Sequence, residues 1–177
     1  MPVIFTLICL AALGVLLYYE AQRPRQRLYP KMVASTAFIA VAVSAGALDT
    51  TFGTLILVGL VLSWFGDLFL ALDGRGPFVA GLVAFLAGHV AYVIAFNERG
   101  LGDQIFIPIA GVVVVGLVIG RWLLPTVPKE LKGPVIAYIL VISAMVAFAV
   151  ATNTLEADWR IPVGAIAFYL SDIGVAR

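Results

Sequence analysis

Asp67 lies in the stretch Ser63-Trp64-Phe65-Gly66-Asp67-Leu68-Phe69-Leu70, inside an apolar run from Phe52 to Leu72 that is long enough to cross a bilayer. A charged side chain deep in a membrane helix costs roughly 2.5 to 3.5 kcal/mol on insertion scales, so such a carboxylate faces a protein interior or a wet cavity. A second acid, Asp172, follows Ser171 inside the apolar run that starts at Ile161. The single histidine, His89, falls near the middle of another run with Tyr92 one turn further on, and Tyr138 lies in a third. Buried carboxyls with a mid-membrane imidazole can hold and pass protons, so the chemistry within reach is proton transfer. Other chemistries are poorly served. There is no Gly-x-Ser-x-Gly elbow, and one histidine with no second His or Cys partner does not make a zinc site. The only cysteine, Cys9, permits no internal disulfide and reads as a small lipid- or core-facing residue. No metal and no cofactor is expected.

These residues must be positioned by membrane helices. Of the 177 residues, 63% are hydrophobic and 12% charged, and the mean hydropathy is +1.10; a soluble chain has about 25% charged residues. The fold class is therefore all-α, a polytopic transmembrane bundle in one domain over 1–177. A spanning helix needs about 20 mostly apolar residues, and seven such runs are present: Pro2 to Tyr19, Pro30 to Leu48, Phe52 to Leu72, Pro77 to Phe96, Gln104 to Leu124, Gly133 to Thr152, and Ile161 to the end. Prolines near the starts suit first-turn positions, whereas Pro108, slightly further in, is expected to tilt or kink its helix. The Met1 to Tyr19 run lacks a basic leading segment and a small-residue cleavage site, so it reads as a retained helix rather than a signal peptide.

Helical spacing sorts the polar residues onto stripes. Gly59, Ser63, Gly66, Asp67 and Leu70 recur at intervals of three and four in the third run, and Gly81, Phe85, Gly88, His89, Tyr92 and Phe96 do so in the fourth. Small residues let helices approach closely, which predicts that both stripes face the bundle interior. The sixth run supplies Tyr138, Val141, Met145 and Phe148, and the seventh Gly164, Phe168, Ser171 and Asp172. Each polar residue also has a purely structural reading. His89, Tyr92 and Tyr138 can hydrogen-bond across helices, and Ser63 and Ser171 can bond the preceding turn.

Orientation follows from Lys and Arg. Eight of them (Arg23, Arg25, Arg27, Lys31, Arg75, Arg121, Lys129 and Lys132) fall at or after the ends of the first, third and fifth runs, against two, Arg99 and Arg160, on the other side, with Arg177 assigned to neither. The N-terminus is thus expected outside the cytoplasm, in a plasma (inner) membrane, with Asp67 in the inner half. Net charge is +1 and the basic residues are confined to short loops, so no nucleic-acid partner is expected. The basic cluster from Arg23 to Arg27 can also touch anionic headgroups, making membrane lipids the natural partners.

The chain resembles the lysoplasmalogenase-like (YhhN) family of small integral membrane proteins. The resemblance rests on Lys31 opening the second helix, Gly66-Asp67-Leu68-Phe69-Leu70, Phe85-x-x-x-His89-x-x-Tyr92, Tyr138 with Met145, and Gly164 to Asp172, in this order on these helices. Here Lys31 precedes Met32, where the family's lysine commonly precedes proline. Family members typically have about eight helices, so the resemblance implies an eighth run beyond Arg177. It also implies a lysophospholipid substrate, whose vinyl ether bond is hydrolysed to a fatty aldehyde and glycerophosphoethanolamine or glycerophosphocholine. Vinyl ether hydrolysis needs one carboxyl kept protonated and one carboxylate to stabilise an oxocarbenium-like cation and activate water, as in glycosidases. The resemblance gives Asp67 and Asp172 these catalytic roles without saying which is the acid. It makes His89, Tyr92, Tyr138 and Ser171 candidates for orienting substrate or water, and Lys31 a candidate for the phosphate. Buried acids and a histidine also suit a proton-coupled transporter, although no inverted repeat or broken helix pair is visible. A non-catalytic membrane scaffold is the third reading.

Overall fold

A computed structural model describes residues 2–22, 28–103, 105–155 and 157–175. Among them are seven α-helices and no strand: α1 (Pro2–Gln22), α2 (Leu28–Ser44), α3 (Thr51–Leu70), α4 (Arg75–Arg99), α5 (Phe106–Leu123), α6 (Lys132–Asn153) and α7 (Arg160–Val175). Short 3-10 turns at Ala47–Asp49 and Lys129–Leu131 precede α3 and α6. By length and composition α3, α4, α5 and α6 can each cross a membrane. The 17 residues of α2 and the 16 of α7 reach only about 24 to 26 Å at 1.5 Å per residue.

Local chemistry explains the helix starts. Pro30, Pro77, Pro108, Pro134 and Pro162 are each the third residue of their helices. The first four N–H groups of a helix have no intrahelical acceptor, so a proline there forfeits nothing. This corrects the expectation that Pro108 kinks its helix: α5 begins at Phe106 rather than Gln104, which lies outside the described residues, and Pro108 falls in its first turn. Thr50 caps α3, its hydroxyl accepting from the Gly53 N–H at 3.0 Å. Gly100, at φ +98°, ends α4 in the left-handed conformation that a side chain would disfavour.

The chain divides into two compact units, Met1–Ala91 and Tyr92–Arg177. In the first, α2 packs on α1, with Cys9 buried and its thiol 3.9 Å from the Ala34 carbonyl oxygen. The small-residue stripes on α3 and α4 meet as the spacing predicts. A Cβ on Gly66 would run into the Phe85 ring, one on Gly81 would lie 2.8 Å from Leu70 Cγ, and one on Gly88 would lie 3.1 Å from both the Gly59 carbonyl oxygen and Ser63 Oγ.

In the second unit α6 is the hub. Ile142, Ser143, Met145, Val146, Ala147, Ala149, Ala151 and Thr152 are all buried along it. Gly116 of α5 faces Ser143 across a gap that a Cβ would narrow to 3.3 Å. On the other side Ser143 Oγ and the Tyr169 hydroxyl of α7 are hydrogen-bonded at 3.2 Å. The outer side of α5, with Ile107, Val114, Leu117 and Val118 more than 60% exposed, is apolar, as a lipid-facing helix should be.

Candidate active site

Asp67 stands three residues before the end of α3, about 5 Å along the axis. That is nearer the helix end than the sequence suggests, because α3 stops at Leu70 rather than Leu72. The opposing helix α2 presents Lys31 and Ser35, four residues apart and therefore on one face. Lys31 Nζ lies 3.1 Å from Asp67 Oδ1, and the Ser35 hydroxyl donates to Oδ2. Both carboxylate oxygens are thus engaged, one by a cation and one by a neutral donor. One turn earlier Trp64 Nε1 donates to Thr36 Oγ1 at 3.0 Å, a second polar link between α3 and α2. The antiparallel course of two consecutive helices makes this possible: the first turn of α2 and the last turn of α3 lie at the same end.

Asp172 has its own setting in the second unit. The Tyr138 hydroxyl of α6 donates to Asp172 Oδ2. Tyr169, one turn before Asp172, faces the same helix through Ser143. Tyr92 is buried, its ring edge-on to Phe168 of α7 with centroids 6.0 Å apart. Ser171 is exposed, and so is Gly164; the inward side of α7 runs through Ala165, Tyr169 and the half-buried Asp172 instead. Residues 171 and 172 differ by about 100° around the helix, so both could not face α6.

His89 is fully buried in the first unit, on α4 directly after Gly88. Each acid therefore has one candidate residue beside it, Lys31 at Asp67 and Tyr138 at Asp172, although the sequence reading makes Lys31 a candidate only for the phosphate and Tyr138 only for orienting substrate or water. Ser35 was not anticipated, although its offset of four from Lys31 was available as a signal. Tyr169 and Ser143 were also missed, since only the pairing of α6 with α7 makes partners of them. No three His, Cys, Asp or Glu side chains among the described residues are grouped to hold a metal ion.

The folding pattern and the acid-bearing helices define a polytopic helical membrane protein. A sequence profile described as the YhhN family matches residues 26–177, a span that takes in every residue just described from Lys31 to Asp172. The chain belongs to the YhhN family. It is 33% identical over 129 residues to lysoplasmalogenase TMEM86A of Bos taurus, covering 70% of this chain and 52% of that protein. It is 34% identical over 131 residues to lysoplasmalogenase TMEM86A of Homo sapiens, with the same shares covered. The chain spans about half the length of the curated relatives it matches. No solved structure matches it.

Proposed function

We propose that this protein is a lysoplasmalogenase-like ether hydrolase of the membrane, acting on a lysophospholipid through Asp67 and Asp172. The observation that carries the reading is the Asp67 carboxylate, held by Lys31 and Ser35 between membrane helices of a YhhN-family chain. A purely structural link between α2 and α3 is already available from Trp64 and Thr36 without burying a charge.

In the proposed reaction one carboxyl group gives its proton to the β-carbon of the vinyl ether, leaving an oxocarbenium-like cation. The other carboxylate stabilises that cation and takes a proton from water as the water oxygen bonds to the α-carbon. The resulting hemiacetal collapses: its hydroxyl proton passes to the first carboxylate while the second carboxyl protonates the glycerol oxygen, the C–O bond to glycerol breaks, and the products are a fatty aldehyde and the glycerophospho-alcohol. One water is consumed and the protons balance. Such a pair contributes most by stabilising, in a low-dielectric site, the charge that develops in the transition state. Tyr138 orients the Asp172 carboxyl; His89 and Tyr92 orient substrate or water. Lys31 fixes Asp67 and lies near enough to a helix end to meet a phosphate.

The experiment is to incubate purified protein in detergent or nanodiscs with a lysoplasmalogen and measure free aldehyde, using the corresponding saturated alkyl ether as control. Aldehyde from the vinyl ether alone supports the reading. No aldehyde from folded protein would overturn it and favour the proton-coupled transporter.

A further inference from the structure

At the end of α4 and the connection from α6 to α7, the second unit holds an open cavity of about 500 Å³ lined by Arg99, Ala157, Asp158, Trp159 and Arg160. Two of its charged groups, Asp158 and Arg160, hold each other in place. Arg160 Nε and Nη2 donate to the two Asp158 carboxylate oxygens at 2.7 and 2.8 Å, and the Arg160 backbone N–H donates to Oδ1 at 3.1 Å. The Asp158 N–H is tied in turn to Asn153 Oδ1 at 2.7 Å. The Arg160 hydrogen bonds hold the Asp158 carboxyl below its ordinary range, with Arg99 adding to the effect, so a carboxylate and two guanidinium groups share this small rim. Arg160 spends two of its five side-chain N–H donors on Asp158 and remains exposed. Trp159, 70% exposed, offers an indole at the end of a membrane helix, where such rings favour the headgroup layer.

Two guanidinium groups, one carboxylate and one indole together match a phosphodiester with an ammonium on a short tether. Arginine suits the phosphate oxygens, and the carboxylate and indole face suit the ammonium. Below the rim, Val163, Ile166 and Leu170 are exposed at intervals of three and four along α7 and form an apolar strip leading away from the cavity. A soluble phosphate ester would have no use for that strip, whereas an acyl chain would.

We propose that this cavity binds the headgroup of a zwitterionic phospholipid, with phosphate on Arg99 and Arg160, the ammonium against Trp159 and Asp158, and a chain along α7. On the positive-inside expectation this rim faces the outer side of the membrane. The assignment does not depend on the hydrolase reading: the lipid here is bound and need not react.

The test is native mass spectrometry of the purified full chain titrated with dioleoyl phosphatidylethanolamine, dioleoyl phosphatidylglycerol, or free glycerophosphoethanolamine. One saturable phosphatidylethanolamine is expected, weakened about tenfold or more by Arg99→Gln and by Arg160→Gln. Asp158→Asn keeps an oxygen acceptor for the Arg160 N–H while removing the negative charge, so it guards against misfolding. It should shift preference from phosphatidylethanolamine to phosphatidylglycerol. Unchanged phosphatidylethanolamine binding in both arginine variants would overturn the site, and an unchanged preference in Asp158→Asn would overturn the zwitterionic assignment. Free glycerophosphoethanolamine binding as tightly as the lipid would overturn the membrane source.

Discussion

Lys31 Nζ stands 3.1 Å from Asp67 Oδ1, and the two side chains share the same exposure, 21% each. An exposed ion pair contributes only about 0.2 to 1 kcal/mol, while breaking a buried one costs about 3 to 5 kcal/mol. This pair lies between the two limits.

Lys31→Met is accordingly expected to destabilise the protein by about 1 to 3 kcal/mol, because it leaves a half-buried carboxylate with only the Ser35 hydroxyl. Asp67→Asn in the same background removes the orphaned charge and should recover part of that loss. Thermal unfolding of the two single variants and the double variant in one detergent measures the coupling. Purely additive losses would mean that the ion pair contributes nothing specific.

For catalysis, Asp67→Asn and Asp172→Asn should each lower kcat for aldehyde release by about 10²- to 10⁴-fold, since Asn keeps the shape but cannot exchange the proton. Tyr138→Phe removes the hydroxyl that donates to Asp172 and should cost about tenfold or more, consistent with a charge-assisted hydrogen bond. Tyr169→Phe is the matched comparison. It loses the bond to Ser143 and about 0.5 to 1.5 kcal/mol of stability, with kcat kept. Near-normal turnover in either Asn variant would reduce that acid to a packing role.

Close approach of α3 and α4 makes a third expectation. Gly66→Ala pushes a methyl into the Phe85 ring, and overpacking of this kind costs about 1 to 3 kcal/mol. Gly14→Ala meets nothing within 4 Å and should be neutral or slightly stabilising through helix propensity. Equal thermal midpoints for the two variants would argue against a tight α3–α4 contact.

Much of this was readable from one-dimensional pattern. Gly66 and Phe85 fall on small-residue stripes whose spacing alone puts them at an interface, and the apolar runs match the helices to within a few residues. The Lys31–Asp67 pair was not drawn from the sequence, where Lys31 is a candidate only for the phosphate; it follows from consecutive antiparallel helices bringing a first turn beside a last turn. Side chains whose role depends on rotation about the helix were less legible. Ser171 adjoins Asp172 in sequence yet points about 100° away, while Tyr169, three residues earlier, shares the acid's face. Ser35 carries no charge and sits in an ordinary apolar context, so only the position of Asp67 across the helix gap reveals it.

The α6 to α7 connection has a definite pH dependence. The Asp158 carboxyl titrates below its ordinary 3.8 because Arg160 hydrogen-bonds the charged form. A carboxyl depressed in the folded state stabilises fully above its unfolded pKa and loses that contribution as pH falls through the folded value. Hydrogen exchange at the Arg160 amide should therefore keep constant protection from pH 7 to about 5 and lose it only below about 3.8. Loss of protection near pH 6 would assign the amide to some other titrating group.

The last expectation concerns which side of the membrane each end of these helices faces. With eight basic residues at or after the ends of the first, third and fifth helices and two on the opposite side, the positive-inside rule predicts the start of α2 and the end of α3 at the cytoplasmic face. Lys31 and Asp67 would then meet substrate from the inner leaflet, and the Arg99 and Arg160 rim would face the outer one. Reporters fused after Arg27 or Lys132 should read cytoplasm, and reporters fused after Asp49 or Arg99 the other side. Replacing Arg23, Arg25 and Arg27 by Gln leaves five basic residues against two, so the orientation should hold but with a larger minority of inverted molecules. Swapped signals at both pairs of fusions would invert the whole assignment, moving Asp67 to the outer half and the zwitterionic headgroup site to the cytoplasmic leaflet.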